Sequence, residues 1–159
     1  MYKKLFIFTM IFLLLDQLSK GLVNIYFNLN QSIEIIPNFF ELTYVHNQGA
    51  AFSMFMGARW FFIIIAIIAL NIIFIFFIRD KKLKNSEIVA YALLIGGIIG
   101  NLIDRILYGY VIDFLDFTIL GYNFAIFNFA DSFIVIAIII LIILMFGEKG
   151  ARTNRRSQQ

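Results

Sequence analysis

Residues 60–78 read WFFIIIAIIALNIIFIFFI, nineteen residues with Asn71 as the one polar side chain. At about 1.5 Å of rise per residue, a helix of this length crosses the roughly 30 Å hydrocarbon core of a bilayer. The many β-branched residues would suit strands, but strands in water are usually about 5–6 residues long. Three more apolar segments of similar length follow the same logic, at about 5–27, 87–106 and 124–146. Every backbone N–H and C=O inside hydrocarbon must be satisfied within the protein, and a helix does so by itself. The expected fold is therefore an all-α integral membrane protein with four transmembrane helices. Composition agrees, since 62% of residues are hydrophobic and only 14% charged, against about a quarter charged in a soluble domain. No repeat or composition break divides residues 1–159, so a single membrane domain is expected.

The first segment has a rival reading. Lys3 and Lys4 before LFIFTMIFLLL resemble the start of a secretory signal peptide. No small-residue cleavage site follows, and Asp16, Gln17 and Lys20 continue within the same helical span, so an uncleaved first helix is the better reading. Of the 13 Lys and Arg residues, ten gather at one set of segment ends: Lys3, Lys4, Arg79, Lys81, Lys82, Lys84, Lys149, Arg152, Arg155 and Arg156. The positive-inside rule makes that side cytoplasmic. Both termini are then cytoplasmic, including a basic tail at 148–159, and the segments at 28–58 and 107–123 are extracytoplasmic loops. Trp60, Tyr26, Tyr44, Tyr108, Tyr110 and Tyr122 fall at the opposite face, as an interfacial aromatic belt would. Within the 28–58 loop, Phe40, Leu42 and Tyr44 alternate with Glu41, Thr43 and Val45. This predicts a small β-structured segment between the first two helices.

With no cysteine, the chain has no disulfide, iron–sulfur or thiol chemistry, and one histidine makes a zinc site implausible. The reading is of no metal and no cofactor. The net charge of +3 sits at membrane flanks and gives no reason to expect a nucleic-acid partner. Intramembrane charge is costly, so the remaining polar residues carry the functional argument. Asn101, Asp104 and Arg105 share a face of the third segment at i, i+3 and i+4. Asp16 and Lys20 share a face of the first, Asn128 and Asp131 lie near the outer end of the fourth, and Asp113 and Asp116 lie in the loop before it. All fall in one leaflet. Asp16 with Lys20, and Asp104 with Arg105, read equally well as structural pairs. Asn128 reads as an interhelical hydrogen bond, Asn71 as a packing residue, and Asp116 as a solvent-facing or turn-capping carboxylate. Asp113 and Asp131 have no basic residue at helical spacing. Two such carboxylates at the rim of a low-dielectric region would share a proton, giving a base and an acid in one place.

Five stretches then carry a family likeness: DQLSK at 16–20, NQGAAF at 47–52, GGIIGNLIDR at 96–105, GYVIDFLDF at 109–117 and FNFADS at 127–132. In this order they resemble the lipoprotein signal peptidases, or signal peptidase II, bacterial aspartic endopeptidases of the cytoplasmic membrane. The likeness covers the chain apart from its basic tail. It implies that Asp113 and Asp131 form the catalytic dyad near the extracytoplasmic face. It implies substrate contact or support for Asp16, Lys20, Asn47, Gly49, Asn101, Arg105 and Asn128, with Asp104 structural; His46 has no motif role. The implied partners are membrane lipids and prolipoproteins whose lipobox cysteine already carries diacylglycerol, cut just before that cysteine. One chain contains every motif, so a monomer suffices.

Two other classes bear weighing. A Ser–Lys signal peptidase would need Lys20 as base for Ser19, Ser53 or Ser132. A small proton-coupled transporter would use the intramembrane carboxylates as a relay, but the inner half of the bundle offers no polar path and the chain no repeat.

Overall fold

The computed structural model describes residues 1–49, 57–79 and 82–156, with 148–156 described by backbone alone. Among the described residues, four helices are long and apolar enough to cross a membrane. Helix α1 covers Tyr2–Tyr26 and α2 covers Arg59–Ile72, continued by a π-helical stretch at Ile73–Ile78. Helix α3 covers Asn85–Leu107 and α4 covers Phe129–Arg156. The first three match the apolar segments to within a few residues. The fourth starts five residues later than its apolar run, because Asn128 caps it and Phe127 is held in a bridge to Leu115. The backbone of 148–156 continues the helix where a separate tail was expected.

Helix α3 is the hub, packed against α1, α2 and α4. Its GGIIG run is what lets them close in. A Cβ on Gly97 would stand 2.5 Å from the Ala130 carbonyl oxygen of α4, and one on Gly100 would collide with the Asp16 carboxylate of α1. Small residues at such crossings are the usual means by which membrane helices approach, because lipid supplies no hydrophobic drive between them. One end of the bundle is tied by Tyr2, whose hydroxyl donates to the Arg79 carbonyl at 2.5 Å, and by Lys4 Nζ to Asn85 Oδ1 at 3.3 Å. The N-terminus and the α2–α3 connection therefore share an end. An apolar cluster of Leu5, Ile73, Ile78, Ile88, Tyr91 and Ala92 fills that half.

The opposite end carries more β-structure than the expected small segment. Strands β1 (Ser32–Ile36) and β2 (Phe40–Asn47) form a hairpin, as the alternation predicts. The stretch after α3, expected as a plain loop, supplies β3 (Val111–Ile119) and β4 (Tyr122–Asn123). All four make one antiparallel sheet in the order β1-β2-β3-β4. Strand β3 enters from Gly109, at φ +85°, and seats Ile112 and Phe114 against Val23 and Tyr44. Tyr44 is thus buried beneath the sheet, outside the aromatic belt assigned to it, and its hydroxyl donates to Asn24 Oδ1 at 2.6 Å. Asp116 is half-buried in β3 opposite Glu41, a strand residue and no turn cap. Asn71 is exposed on α2 and donates back to the Ile67 carbonyl at 2.8 Å, so it does not pack between helices.

The β3–β4 turn holds Leu120 at φ +52° and Gly121 at φ +78°. Two-residue hairpin turns of this kind favour Asn-Gly, because a Cβ-bearing residue pays for left-handed backbone and Asn pays least. Leu120 is fully exposed, so its side chain returns nothing by packing in the isolated chain. Leu120→Asn is expected to raise stability by about 0.5–1 kcal/mol, read as a higher Tm in detergent; an unchanged or lower Tm would mean that Leu120 gains from contact with the detergent's apolar phase.

Candidate active site

Between the apolar half and the sheet lies a polar layer, and it contains Asp16, Lys20, Asn47, Gly49, Asn101, Asp104, Arg105, Asp113, Asn128 and Asp131. Its base is a buried ion cluster. Lys20 Nζ stands 2.9 Å from Asp16 Oδ2 and 2.9 Å from Asp104 Oδ2, with all three side chains at most 2% exposed. The pairing of Asp16 with Lys20 is the expected one; Asp104 pairs with Lys20 and not with Arg105. A third bond from Lys20 Nζ, at 2.9 Å, reaches Asn101 Oδ1. The carboxylates have further donors. The Ala130 N–H reaches Asp16 Oδ1 at 2.9 Å, Gln17 Nε2 reaches Asp104 Oδ1 at 3.0 Å, and the Ile112 N–H reaches Asp104 Oδ2 at 3.2 Å. This cluster ties α1, α3, β3 and the start of α4 together. Buried charges are tolerable where, as here, each is both paired and hydrogen-bonded. Gln17 is read from the sequence only as a polar residue within the first helix, although its place between Asp16 and Lys20 in an apolar span was signal enough for a part in the site.

Above the cluster sit the two unpaired carboxylates. Asn128 and Asp131 occupy the first turn of α4 as a reciprocal cap. The Asp131 N–H donates to Asn128 Oδ1 at 2.9 Å, and the Asn128 N–H donates to Asp131 Oδ2 at 3.3 Å. The N-terminal dipole of α4 adds a favourable field for the Asp131 carboxylate. Asn128 Nδ2 also donates to Asp113 Oδ1 at 2.6 Å, so this fully buried side chain joins both carboxylates. Asn47 Nδ2 holds Asp113 Oδ2 at 2.8 Å, and Asn101 Nδ2 holds Asp131 Oδ1 at 2.7 Å. Among the described residues neither carboxylate has an ion-pair partner. Three asparagines thus orient the pair without supplying charge. Both carboxylates line a cavity of about 220 Å³; Asp113, on β3, is 2% exposed and Asp131 is half-buried. Burial first, and then the negative charge of Asp131, push Asp113 up to about 7; the amides of Asn47 and Asn128 pull the other way.

Arg105 lies beside this cavity and donates to the Gly49 carbonyl at 3.1 Å, with its guanidinium 4.7 Å from the Phe62 ring centre. The Gly49 N–H closes onto Asn47 Oδ1 at 2.9 Å. Asn47, Gly49 and Arg105 therefore form one wall, built from β2, the segment after it and α3. His46 has more structure around it than an interfacial residue needs. Its ring stacks on Tyr110 at 3.7 Å, its Nε2 meets the Tyr44 hydroxyl at 2.8 Å, and burial lowers its pKa.

The geometry disfavours a Ser–Lys pair. Ser19 Oγ donates to the Asp16 carbonyl at 2.7 Å and Ser132 Oγ to the Asn128 carbonyl at 3.0 Å, while Lys20 is held between two carboxylates. Ser53 lies outside the described residues.

Two carboxylates oriented by neutral amides, one of them buried, at the mouth of a cleft in a four-helix membrane protein is an arrangement suited to activating water. Known proteins point the same way. Residues 8–147 match the family model described as signal peptidase (SPase) II. The chain is 39% identical over 160 residues to a lipoprotein signal peptidase of Staphylococcus aureus, covering 98% of each. It is 44% identical over 147 residues to a lipoprotein signal peptidase of Alteromonas mediterranea, covering 89% of this chain and 80% of that one. Among solved structures, a bacterial membrane enzyme determined in meso at 2.3 Å superposes with a TM-score of 0.84 at 38% identity, over 91% of this chain and 88% of that one. A second, at 1.9 Å, gives a TM-score of 0.80 at 39% identity, over 89% and 91%. With a match across nearly the whole chain and the same fold beneath it, the chain belongs to the signal peptidase II family.

Proposed function

We propose that this chain removes the signal peptide from diacylglyceryl-modified prolipoproteins, cutting just before the lipidated cysteine, with Asp113 and Asp131 as an aspartic dyad. The observation that carries the assignment is Asn128, whose amide and backbone N–H hold one carboxylate each. The basic end of the bundle, with Lys3, Lys4, Arg79, Lys82 and Lys84, faces the cytoplasm of a bacterium, so both termini lie inside. The sheet and the dyad then meet the extracytoplasmic boundary, the depth at which a lipid-bearing cysteine rests.

In the resting enzyme the buried Asp113 holds the shared proton and the more accessible Asp131 is ionised. Asp131 takes a proton from water as its oxygen bonds to the scissile carbonyl carbon. Asp113 gives its proton to the carbonyl oxygen, and a neutral tetrahedral diol forms. Asp131 then passes its proton to the leaving nitrogen as the C–N bond breaks, and a diol hydroxyl returns a proton to Asp113. The substrate's signal helix lies along the groove between α2 and α4, and must open into extended chain at the cut. Its freed peptide groups meet Asn47 and Arg105, which supply hydrogen bonds that hydrocarbon cannot. The 28–58 loop grips the part of the substrate beyond the cysteine. Asp16, Lys20, Asn101 and Asp104 set the position of the asparagines and of α4.

The test is the purified chain in lipid vesicles with a diacylglyceryl prolipoprotein, its products weighed by mass spectrometry. One cut immediately before the modified cysteine is expected; a different bond, or equal turnover of the unlipidated precursor, would overturn the substrate assignment. The same assay has an expected pH dependence. Asp113 is raised from the usual carboxylate value to about 7, so its protonated form is favoured in the fold. Cleavage should hold below that pH and fall about tenfold per unit above it, measured as kcat between about pH 5 and pH 9. Activity rising through that range would reverse the proton assignment.

A further inference from the structure

A second cavity, of about 290 Å³, adjoins the dyad cavity and shares Asn47 and Asp113 with it. The dyad cavity reaches into the bundle, to Asn101 and Arg105 on α3 and Val135 on α4. The second one adds Val45 and His46 of β2 and Phe124 just after β4. Among the described residues, none from a membrane-spanning helix lines it. Asp113 thus stands between a bundle cavity and a sheet cavity. The mechanism gives His46 and the sheet cavity nothing to do.

His46 is half-buried and held in one pose. Tyr110 covers a face of its ring at 3.7 Å between centroids, and the Tyr44 hydroxyl lies 2.8 Å from Nε2. That hydroxyl has one proton, which it gives to Asn24 Oδ1 at 2.6 Å, so toward His46 it can only accept. The ring proton therefore sits on Nε2, and Nδ1 is left as an acceptor. Burial lowers the His46 pKa, which keeps the ring neutral at pH 7. Nδ1 has no hydrogen-bond partner among the described residues. It is the one polar ring atom that neither tyrosine covers.

The direction of a bound chain says what fills the sheet cavity. With the signal peptide on the bundle side, the chain beyond the cut passes Asp113 toward the sheet. Successive side chains of an extended chain point to opposite sides, about 3.3 Å apart along it. The lipid on the cysteine has to stay in hydrocarbon, so the next side chain turns away from the membrane. We infer that the sheet cavity seats the residue following the lipidated cysteine, and that His46 Nδ1 selects there a side chain that donates a hydrogen bond, such as serine. The inference rests on the peptidase reading of the dyad and adds a specificity to it. Aspartate is the side chain that the cavity refuses. It would meet the lone pair of Nδ1 and the charge of the dyad, and among the described residues no cation lines the cavity to offset them.

Three diacylglyceryl prolipoproteins that differ only in that residue, Ser, Ala or Asp, test this with the full-length chain in phosphatidylcholine vesicles. Binding is read in an Asp131→Asn background, which leaves the substrates uncut. The Ser substrate should bind about three- to tenfold tighter than the Ala one. His46→Phe keeps a ring for Tyr110 to stack on but has no Nδ1, and should bring that ratio close to one. Because the ratio is taken within each form, a general loss of folded protein does not change it. Turnover is read with Asp131 in place, and kcat/KM for the Asp substrate should lie at least about tenfold below that for Ser. Equal binding of Ser and Ala, a ratio that survives His46→Phe, or Asp cut as fast as Ser would each overturn the inference. The peptidase reading fails separately. Ser-selective binding that depends on His46, by a chain that cuts none of the three with Asp131 present, would keep the cavity and defeat that reading instead.

Discussion

Replacing either Asp113 or Asp131 by Asn is expected to lower turnover of a lipidated substrate at least about 10³-fold while the protein still inserts and folds. The two halves of this prediction have different causes. Asn cannot exchange a proton with water or with the carbonyl oxygen, so the reaction loses either its base or its acid. The fold loses little, because the shape is unchanged and each carboxylate is held by amide donors and not by a cation. One of those donors meets an NH₂ group in the variant, a cost of about 1–2 kcal/mol. Against that, the variant no longer confines two negative charges beside one another, the interaction that helps push Asp113 up to about 7. The net change in stability should stay within about 1 kcal/mol. The measurement is the pair of numbers, turnover in vesicles and Tm in detergent. Turnover within tenfold of wild type by either variant would remove that residue from the dyad.

The fold and the proposed dyad were legible in the sequence to different degrees. The helices were legible because hydrocarbon imposes one length and one hydrogen-bonding solution, and WFFIIIAIIALNIIFIFFI satisfies both. That Asp113 and Asp131 stand apart from the other charges was legible as an absence, two carboxylates with no cation at helical spacing, and the structure joins both through Asn128. Strand β3 was missed although VIDFLDFTI is bounded by Gly109 and the Leu120–Gly121 turn. Its pairing partner β2 lies some seventy residues earlier, and no local periodicity reports so distant a contact. The start of α4 was misplaced for a related reason. FAIFN continues the apolar run without a break, and only the reciprocal cap of Asn128 and Asp131 marks the first turn. Proximity in sequence offers Arg105 as one possible ion partner of Asp104. On a helix adjacent residues diverge by about 100°, and the partner proved to be Lys20 on another helix.

Lys20 therefore gives the converse of the dyad experiment, a residue whose neutralisation should cost stability first. Lys20→Met keeps most of the side-chain volume but leaves Asp16 and Asp104 facing each other at 0% and 1% exposure with no counter-charge. Removing one partner from a buried ionic group costs about 3–5 kcal/mol, because the remaining charge cannot reach water. The loss should be larger than that of any of the three asparagine contacts, and it should be shared by α1, α3 and the start of α4, which this cluster joins. Turnover should fall as well, since Asn101 Oδ1 loses the Lys20 bond at 2.9 Å and its amide no longer has a fixed direction toward Asp131. A second substitution separates the electrostatic cause from a packing defect. Adding Asp104→Asn to Lys20→Met removes one stranded charge while keeping the shape, and should return at least about 1 kcal/mol. If the double variant is as unstable as Lys20→Met alone, the cluster holds the helices by packing, and the charges are incidental to it. If Lys20→Met itself unfolds within about 1 kcal/mol of wild type, water reaches the cluster, and the site is less dry than an acid and a base sharing one proton would need.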